Sequence, residues 1–188
     1  MPAKISRTSV VNREGSALAE IIALRLIHIL GGIFWVGVML FNVLFLFPAM
    51  AAIGPAAGPL MGELQRRRLM TVLPFVAILT MVSGMRLMWI TSGGFSPDYF
   101  SFPTGRALAV GAVAAVAGFL VGIGVGRPAA MRAAQLGASL ASVSDAAERA
   151  AMAGTMSAVR RRAAMANAVT MILLVISAGA MAIARYLG

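Results

Sequence analysis

The sequence predicts an all-α, polytopic membrane protein: an antiparallel bundle of four transmembrane helices with cytoplasmic helix extensions. Of the 188 residues, 60% are hydrophobic and only 12% are charged, whereas about a quarter of the residues of soluble domains are charged. The apolar residues fall into four runs, each close to the ~20 residues that a helix needs to cross a bilayer. Little chain is left for a second, soluble core, so one domain is expected.

The first span is predicted at about residues 27–47, where Pro48 is expected to end the apolar run. Residues 1–15 are polar and basic and show no apolar periodicity, so they are expected to form a mobile tail that precedes the domain of residues 16–188. The apolar run is longer than the core of a cleavable signal, so this segment is expected to remain in the protein.

The second span is predicted at about residues 69–90, with a kink at Pro74 that neighbouring helices can accommodate. A short amphipathic segment that ends in the arginines of residues 66–68 precedes it. Residues 91–104 combine glycine, proline and aromatic residues, which is typical of a loop at a bilayer surface.

The third span is predicted at about residues 107–125 and is rich in alanine and glycine, which allows close approach of another helix in lipid. A helical stretch is expected to continue outside the membrane after Pro128. The next helix is expected to re-enter lipid after the arginines of residues 160–162 and to form a fourth span at about residues 164–185.

The distribution of Lys and Arg predicts the orientation. Positive residues resist translocation, so the more basic connections are expected in the cytoplasm and both termini outside, across a bacterial-type inner membrane. The side expected in the cytoplasm has nine positive residues, which are Arg66, Arg67, Arg68, Arg127, Arg132, Arg149, Arg160, Arg161 and Arg162. The side expected outside has five, which are Lys4, Arg7, Arg13, Arg106 and Arg185.

This topology also accounts for the net charge of +10, because the basic residues form short clusters beside apolar runs and not a nucleic-acid-binding face. No nucleic-acid partner is therefore expected. The absence of cysteine from the sequence excludes disulfides, thiolate metal sites and iron–sulfur clusters.

The sole histidine, His28, lies just inside the first span, and an ionisable residue in a membrane helix is a candidate for function because its burial in lipid is costly. Helical spacing places Gly32 and Trp35 on the same stripe, where glycine leaves room for a planar ring. In the second span, Met85 returns to a similar depth. This set predicts a b-type haem with His28 on the iron, Met85 as a candidate second ligand and guanidinium groups at the propionates. These arginines are Arg25, Arg86 and Arg106.

Three alternatives stay open. His28 can serve structure alone, by hydrogen bonding to a carbonyl of a neighbouring helix, while the methionines fill gaps and the arginines extend to headgroups. The thioethers of Met81, Met85 and Met88 recur at helical spacing and can instead bind Cu(I). The chain can also be a scaffold subunit whose third helix packs against a second copy or a membrane redox partner.

The segment Leu26 to Leu30 with Trp35, the arginine cluster of residues 66–68, Pro74 and Gly84 resemble the membrane family that joins HemJ-type protoporphyrinogen oxidases to copper-resistance D-like proteins. The resemblance covers roughly residues 24–126. It implies a haem-linked redox protein or a HemJ-like oxidoreductase with His28 as ligand, or, in its other branch, copper handling.

One position departs from the pattern of the HemJ type. Arg106 stands where that type carries a lysine, and a permanently protonated arginine cannot ligate iron. The resemblance therefore implies haem binding more directly than it implies the porphyrinogen oxidase reaction.

Overall fold

The computed structural model describes residues 7–140 and 142–187, without the side chains of residues 7–14 and Pro55. All regular structure in these ranges is helical, which confirms the all-α class. Four helical segments are long and apolar enough to cross a membrane, in agreement with a multi-pass protein. They are Gly15–Ile53, Leu69–Thr91, Pro103–Leu140 and Ala146–Ala184.

We number the α-helices in chain order. They are α1 (Arg7–Phe41), α2 (Phe47–Ile53), α3 (Gly58–Arg66), α4 (Leu69–Thr91), α5 (Pro97–Ser101), α6 (Pro103–Val121), α7 (Arg127–Leu140) and α8 (Ala146–Ala184).

The first helix begins earlier than predicted. A tail was expected through residue 15, but α1 starts at Arg7, and residues 1–6 lie outside the described ranges. Residues 7–14 contain neither glycine nor proline. Adding turns to a helix that has already formed is much easier than nucleating one, so these polar residues extend α1 without needing an apolar face.

Prolines do not end the helices as expected. A π-helical turn at Asn42–Leu46 joins α1 to α2, and a second one at Gly122–Gly126 joins α6 to α7. Each turn ends two residues before a proline, Pro48 or Pro128. Proline lacks an N–H and crowds the preceding turn, and the wider π turn accommodates this change in hydrogen bonding. The first helical segment therefore continues past Pro48 to Ile53.

The long helices pack as two antiparallel pairs, which we call the first hairpin (α1 with α4) and the second hairpin (α6 with α8). The hairpins meet where α1 contacts α8 and where α4 contacts α6. The helix α7 packs along α8. A core of Trp35, Met39, Ala77 and Leu174 lies between the hairpins. Phe119 packs edge-on against Trp35, with ring centroids 6.2 Å apart.

The outer surface of the helices is apolar. Ile33 and Val113 are 66% and 68% exposed, respectively. Side chains of this kind on every long helix form the lipid-facing surface that a membrane-spanning protein needs, since an aqueous surface patch of this extent would be unusual.

The predicted surface loop contains a short helix, α5, and a cluster of aromatic rings. Phe95 has a φ of 63°; its N–H donates to Ser92 Oγ at 2.8 Å, and its ring lies edge-on to Trp89 at 5.2 Å. Where α5 turns into α6, a Cβ at Gly105 would lie 2.1 Å from the carbonyl oxygen of Tyr99, so only glycine fits there. The loop is thereby a defined structure that connects α4 to α6.

The basic side of α3 is partly neutralised. Glu63 pairs with Arg66 at 2.7 Å and with Arg67 at 2.8 Å, all on the surface. Arg66 and then Arg67 hold the pKa of the Glu63 carboxyl below its ordinary value. The residue Arg68 that follows has a φ of 60° and marks the sharp turn into α4.

Candidate functional site

The imidazole of His28 lies in the seam of the first hairpin. Its Nδ1 is 2.8 Å from the backbone carbonyl oxygen of Thr80 in α4. A carbonyl can only accept a hydrogen bond, so the neutral ring carries its proton on Nδ1 and a lone pair on Nε2. The same carbonyl also accepts from Ser83 Oγ at 3.0 Å. A polar group of the neighbouring helix thus sets the tautomer of His28.

Two glycines make this close approach possible. A Cβ at Gly84 would lie 2.5 Å from Cε1 of His28, and a Cβ at Gly31 would lie 2.3 Å from Oγ1 of Thr80. Gly32, the glycine singled out from the sequence, would place its Cβ 3.8 Å from Thr80, which is an ordinary contact. The space that glycine leaves beside His28 is therefore filled by the imidazole, and Gly31 and Gly84 create it.

The second ring nitrogen of His28 is not fully buried. Nε2 has no hydrogen-bond partner among the described residues, and no fully buried side-chain nitrogen or oxygen in those residues lacks one. His28 as a whole is half-buried. The ring is thus packed against α4, with Nδ1 at the carbonyl of Thr80 and Nε2 3.5 Å from the position of a Cβ at Gly84, while Nε2 keeps some exposure.

The predicted arginines occupy the same end of the bundle but have different surroundings. Arg86 forms an ion pair with Glu20, with Nη2 at 2.7 Å from Oε1, and both side chains are nearly half exposed. Arg25 precedes His28 by about one helical turn, and Arg106 lies in the first turns of α6; both are exposed. Within the described residues, neither has a carboxylate at ion-pair distance. Arg25 and Arg106 are therefore free to meet an anion.

Met85 lines an apolar groove between α4 and α6. The groove has a volume of about 380 Å³, and Val113 and Val116 of α6 form part of its wall. Met85 directly follows Gly84, the residue on which the imidazole of His28 rests. Successive side chains of a helix point about 100° apart, so Gly84 faces α1 whereas Met85 faces the groove toward α6. The side chain of Met85 is 48% exposed.

Two other sequence-predicted residues belong to the core. Trp35 is 5% exposed and packs in the cluster between the hairpins. Met81 packs against the same cluster, which places it apart from the groove that Met85 lines. Trp35 therefore belongs to the packed core, about two helical turns along α1 from His28, and helps to hold α1 in place.

Sequence reasoning missed Thr80 and the role of Glu20. Thr80, Ser83 and Gly84 recur at i, i+3 and i+4 within an otherwise apolar span, which places a small polar patch on one face of α4. That pattern is a usable signal for a helix that receives a polar side chain from a neighbour. Glu20 gave a weaker signal, because it pairs with a residue 66 positions away.

The described residues contain no group of three or more His, Cys, Asp or Glu side chains that could hold a metal ion. Haem brings its own ring nitrogens and often takes a single histidine from the protein, so one imidazole is a sufficient protein ligand for a porphyrin.

Comparisons with models of known families, with curated proteins and with solved structures find no match to this chain.

Proposed function

We propose that this chain is a membrane protein that binds one b-type haem through Nε2 of His28 and serves in electron transfer. The observation that carries the proposal is the orientation of His28: Nδ1 donates to the carbonyl of Thr80, while Nε2 has no hydrogen-bond partner among the described residues and is not fully buried. Histidine ligands of metals commonly have this arrangement, since the hydrogen bond fixes the tautomer and raises the basicity of the ligating nitrogen.

The other residues near His28 would hold the haem as follows. Arg25 and Arg106 would pair with the propionates, and Arg86 would join them only by leaving Glu20. Met85 would be the candidate second protein ligand, because it follows Gly84, on which the imidazole rests. When bound, the haem supplies a one-electron iron couple. The chain itself holds the imidazole, presents positive charge at one end of the bundle and excludes water with the apolar walls of the groove.

The resemblance to the HemJ type supports the same ligand and leaves open an oxidoreductase activity. Copper handling has less support. A shared Cu(I) site needs thioethers that converge, and Met81 packs against the core whereas Met85 lines the outer groove.

The orientation we propose is a bacterial-type inner membrane with both termini outside. The basic clusters of residues 66–68 and 160–162 lie where α4 and α8 begin their apolar stretches, on the same side of the antiparallel pairs. Positive residues on that side favour a cytoplasmic location.

The test is the visible spectrum of the full chain, purified in detergent from haem-replete cells. We expect a Soret band that shifts on reduction and is lost in His28→Ala. His28→Gly with added imidazole should recover the band, because a free imidazole can occupy the vacated position. Thr80→Val is the matched control: it removes the Thr80 hydroxyl, which donates to the carbonyl of Val76, but leaves the carbonyl that orients His28, so the band should remain.

A colourless wild-type protein, or a haem-containing His28→Ala variant with an unchanged spectrum, would refute the proposal. For the copper alternative, the bound Cu(I) should fall when Met81 and Met85 are both replaced by Leu. Unchanged Cu(I) binding would exclude these thioethers as the site.

A further inference from the structure

A second cleft lies in the second hairpin, far along the helices from His28. It has a volume of about 310 Å³, which falls at the lower end of the ~300–1,000 Å³ range of small-molecule sites. Its walls come from the end of α6, the π-helical turn that follows and the middle of α8. Val121 and Val125 face Met165 and Val169 across it, and Arg161 and Arg162 complete the lining.

The π-helical turn explains why a cleft forms here. Gly122 and Gly126 face α8 directly, with Cβ positions that would lie 3.6 Å from Thr170 Oγ1 and Ala166 Cβ, respectively. The helices therefore contact closely on the glycine face of the turn. Val121 and Val125, one residue before each glycine, lie on the adjoining face and line the opening beside that contact.

The cleft is polar at one end and apolar at the other. Along α8, Arg161 and Arg162 precede Met165 and Val169 by one to two turns, so the guanidinium groups lie toward the basic end of the helix. Every ion pair among the described residues uses Glu20 or Glu63. Arg161 and Arg162 thus have no carboxylate partner there, and their positive charge is available to a ligand.

The cleft is also open toward the lipid-facing surface of the protein. Met165 is 64% exposed and Val169 is 45% exposed on the lipid-facing surface of α8. A ligand that contacts these walls must therefore be apolar enough to lie among acyl chains. Its charged end would contact Arg161 and Arg162.

We propose that this cleft binds one anionic phospholipid, with an acyl chain along Val121, Val125, Met165 and Val169 and the headgroup phosphate on Arg161 and Arg162. Basic pockets between membrane helices at the level of the headgroups recognise anionic lipids in this way. The site is independent of His28 and of any haem.

The test is native mass spectrometry of the full chain released from bilayer nanodiscs that contain phosphatidylglycerol and phosphatidylcholine. We expect one retained phosphatidylglycerol per chain. Because an arginine near the headgroups contributes enough binding energy for about a fivefold change in affinity, Arg161→Gln with Arg162→Gln should reduce retention by at least tenfold. Arg160→Gln is the matched control, since Arg160 belongs to the same cluster but does not line the cleft; it should change retention less than twofold.

A second variant tests the acyl-chain part. Val169→Phe fills the cleft without altering charge and should weaken phospholipid retention, and thermal unfolding of each variant checks that it is folded. Equal loss in Arg160→Gln would show general attraction to basic surface and overturn the proposal, as would unchanged retention in the double variant. Displacement of the lipid by millimolar inorganic phosphate would identify a soluble-anion site and also overturn it.

Discussion

The two hairpins share a backbone plan but differ in what fills their seams. Each begins with a long helix that contains a π-helical turn before a proline, and each returns through a helix whose apolar part begins just after an arginine cluster. A spacing of 17 residues from Gly31 to Pro48 recurs from Gly111 to Pro128.

The first seam holds an imidazole and an interhelical ion pair, whereas the second holds small residues and a threonine that bonds to a carbonyl. The shared features therefore belong to the backbone plan of the fold, while the titratable chemistry is an addition to one hairpin. It follows that matched substitutions in the two seams should have unequal effects.

The largest difference is expected between Gly31→Ala and Gly111→Ala. A Cβ at Gly31 would lie 2.3 Å from Thr80 Oγ1, and this hydroxyl is already held by a 2.8 Å hydrogen bond to the carbonyl of Val76. At Gly111 the nearest atoms are Cγ of the flexible Met181 side chain at 3.0 Å and the backbone carbonyl oxygen of Ser177 at 3.1 Å, so the displacement that a Cβ requires there is a few tenths of an ångström. We expect Gly31→Ala to destabilise the protein by about 1–3 kcal/mol and Gly111→Ala by about 1 kcal/mol or less, measured by thermal unfolding in detergent.

Equal losses of stability in the two glycine variants would contradict this view of the seams. The spectrum adds a second readout, because Gly31→Ala displaces Thr80 and should also alter the Soret band, while Gly111→Ala should not.

A smaller contrast is expected between two threonines. Thr170 Oγ1 donates to the carbonyl of Gly118 across the second seam at 3.2 Å, whereas Thr80 Oγ1 donates within its own helix. Interhelical hydrogen bonds in membranes average about 0.6 kcal/mol. Thr170→Val should therefore lower stability by about that amount and Thr80→Val by less. A larger loss in Thr80→Val would mean that its hydroxyl contributes to the seam directly.

The ion pair between Glu20 and Arg86 should contribute less still. Both side chains are close to half exposed, and exposed pairs typically contribute below about 1 kcal/mol. Glu20→Gln should lower the melting temperature slightly at low salt, and the difference from wild type should shrink at 1 M salt because ions screen the attraction. A difference that persists at high salt would show that Glu20 acts through packing.

The smallest effect concerns Glu63, which lies outside both seams. Arg66 and Arg67 lower the pKa of this carboxyl in the folded protein, so its contribution to stability is present above its unfolded pKa of about 4.3 and disappears as the pH falls through the lower folded value. Unfolding midpoints measured between pH 6 and 3 should show a shallower acid-induced decline in Glu63→Gln than in wild type. Identical profiles would refute this assignment.

The sequence predicted most of the architecture because lipid imposes a simple requirement. Long apolar runs must be helical, so the positions of α4 and of the apolar part of α8 followed from length and charge alone. The ends of the first helix could not be predicted in this way. A π-helical turn before Pro48 depends on local backbone geometry, which no residue pattern indicates clearly.

The site was predictable only in part. His28 stood out as a single ionisable residue in an apolar run, but its partner is a backbone carbonyl, which is present at every position. Nothing in the sequence indicates which carbonyl faces the ring; the tight fit at Gly31 and Gly84 selects that of Thr80. The ion pair of Arg86 likewise depends on how two helices align, and that register is a property of the packed seam.

The length of α8 has a mechanical consequence. Its 39 residues extend about 58 Å, roughly twice the ~30 Å thickness of the hydrocarbon layer. When the apolar residues 163–184 cross the hydrocarbon layer, residues 146–162 extend about 25 Å from its edge, through the headgroups and beyond, and α7 packs against this helix. If α8 tilted as a rigid rod, a tilt of ~10° would move one tip relative to the other by ~10 Å. A small rearrangement inside the bilayer would thus become a large displacement at the far tip.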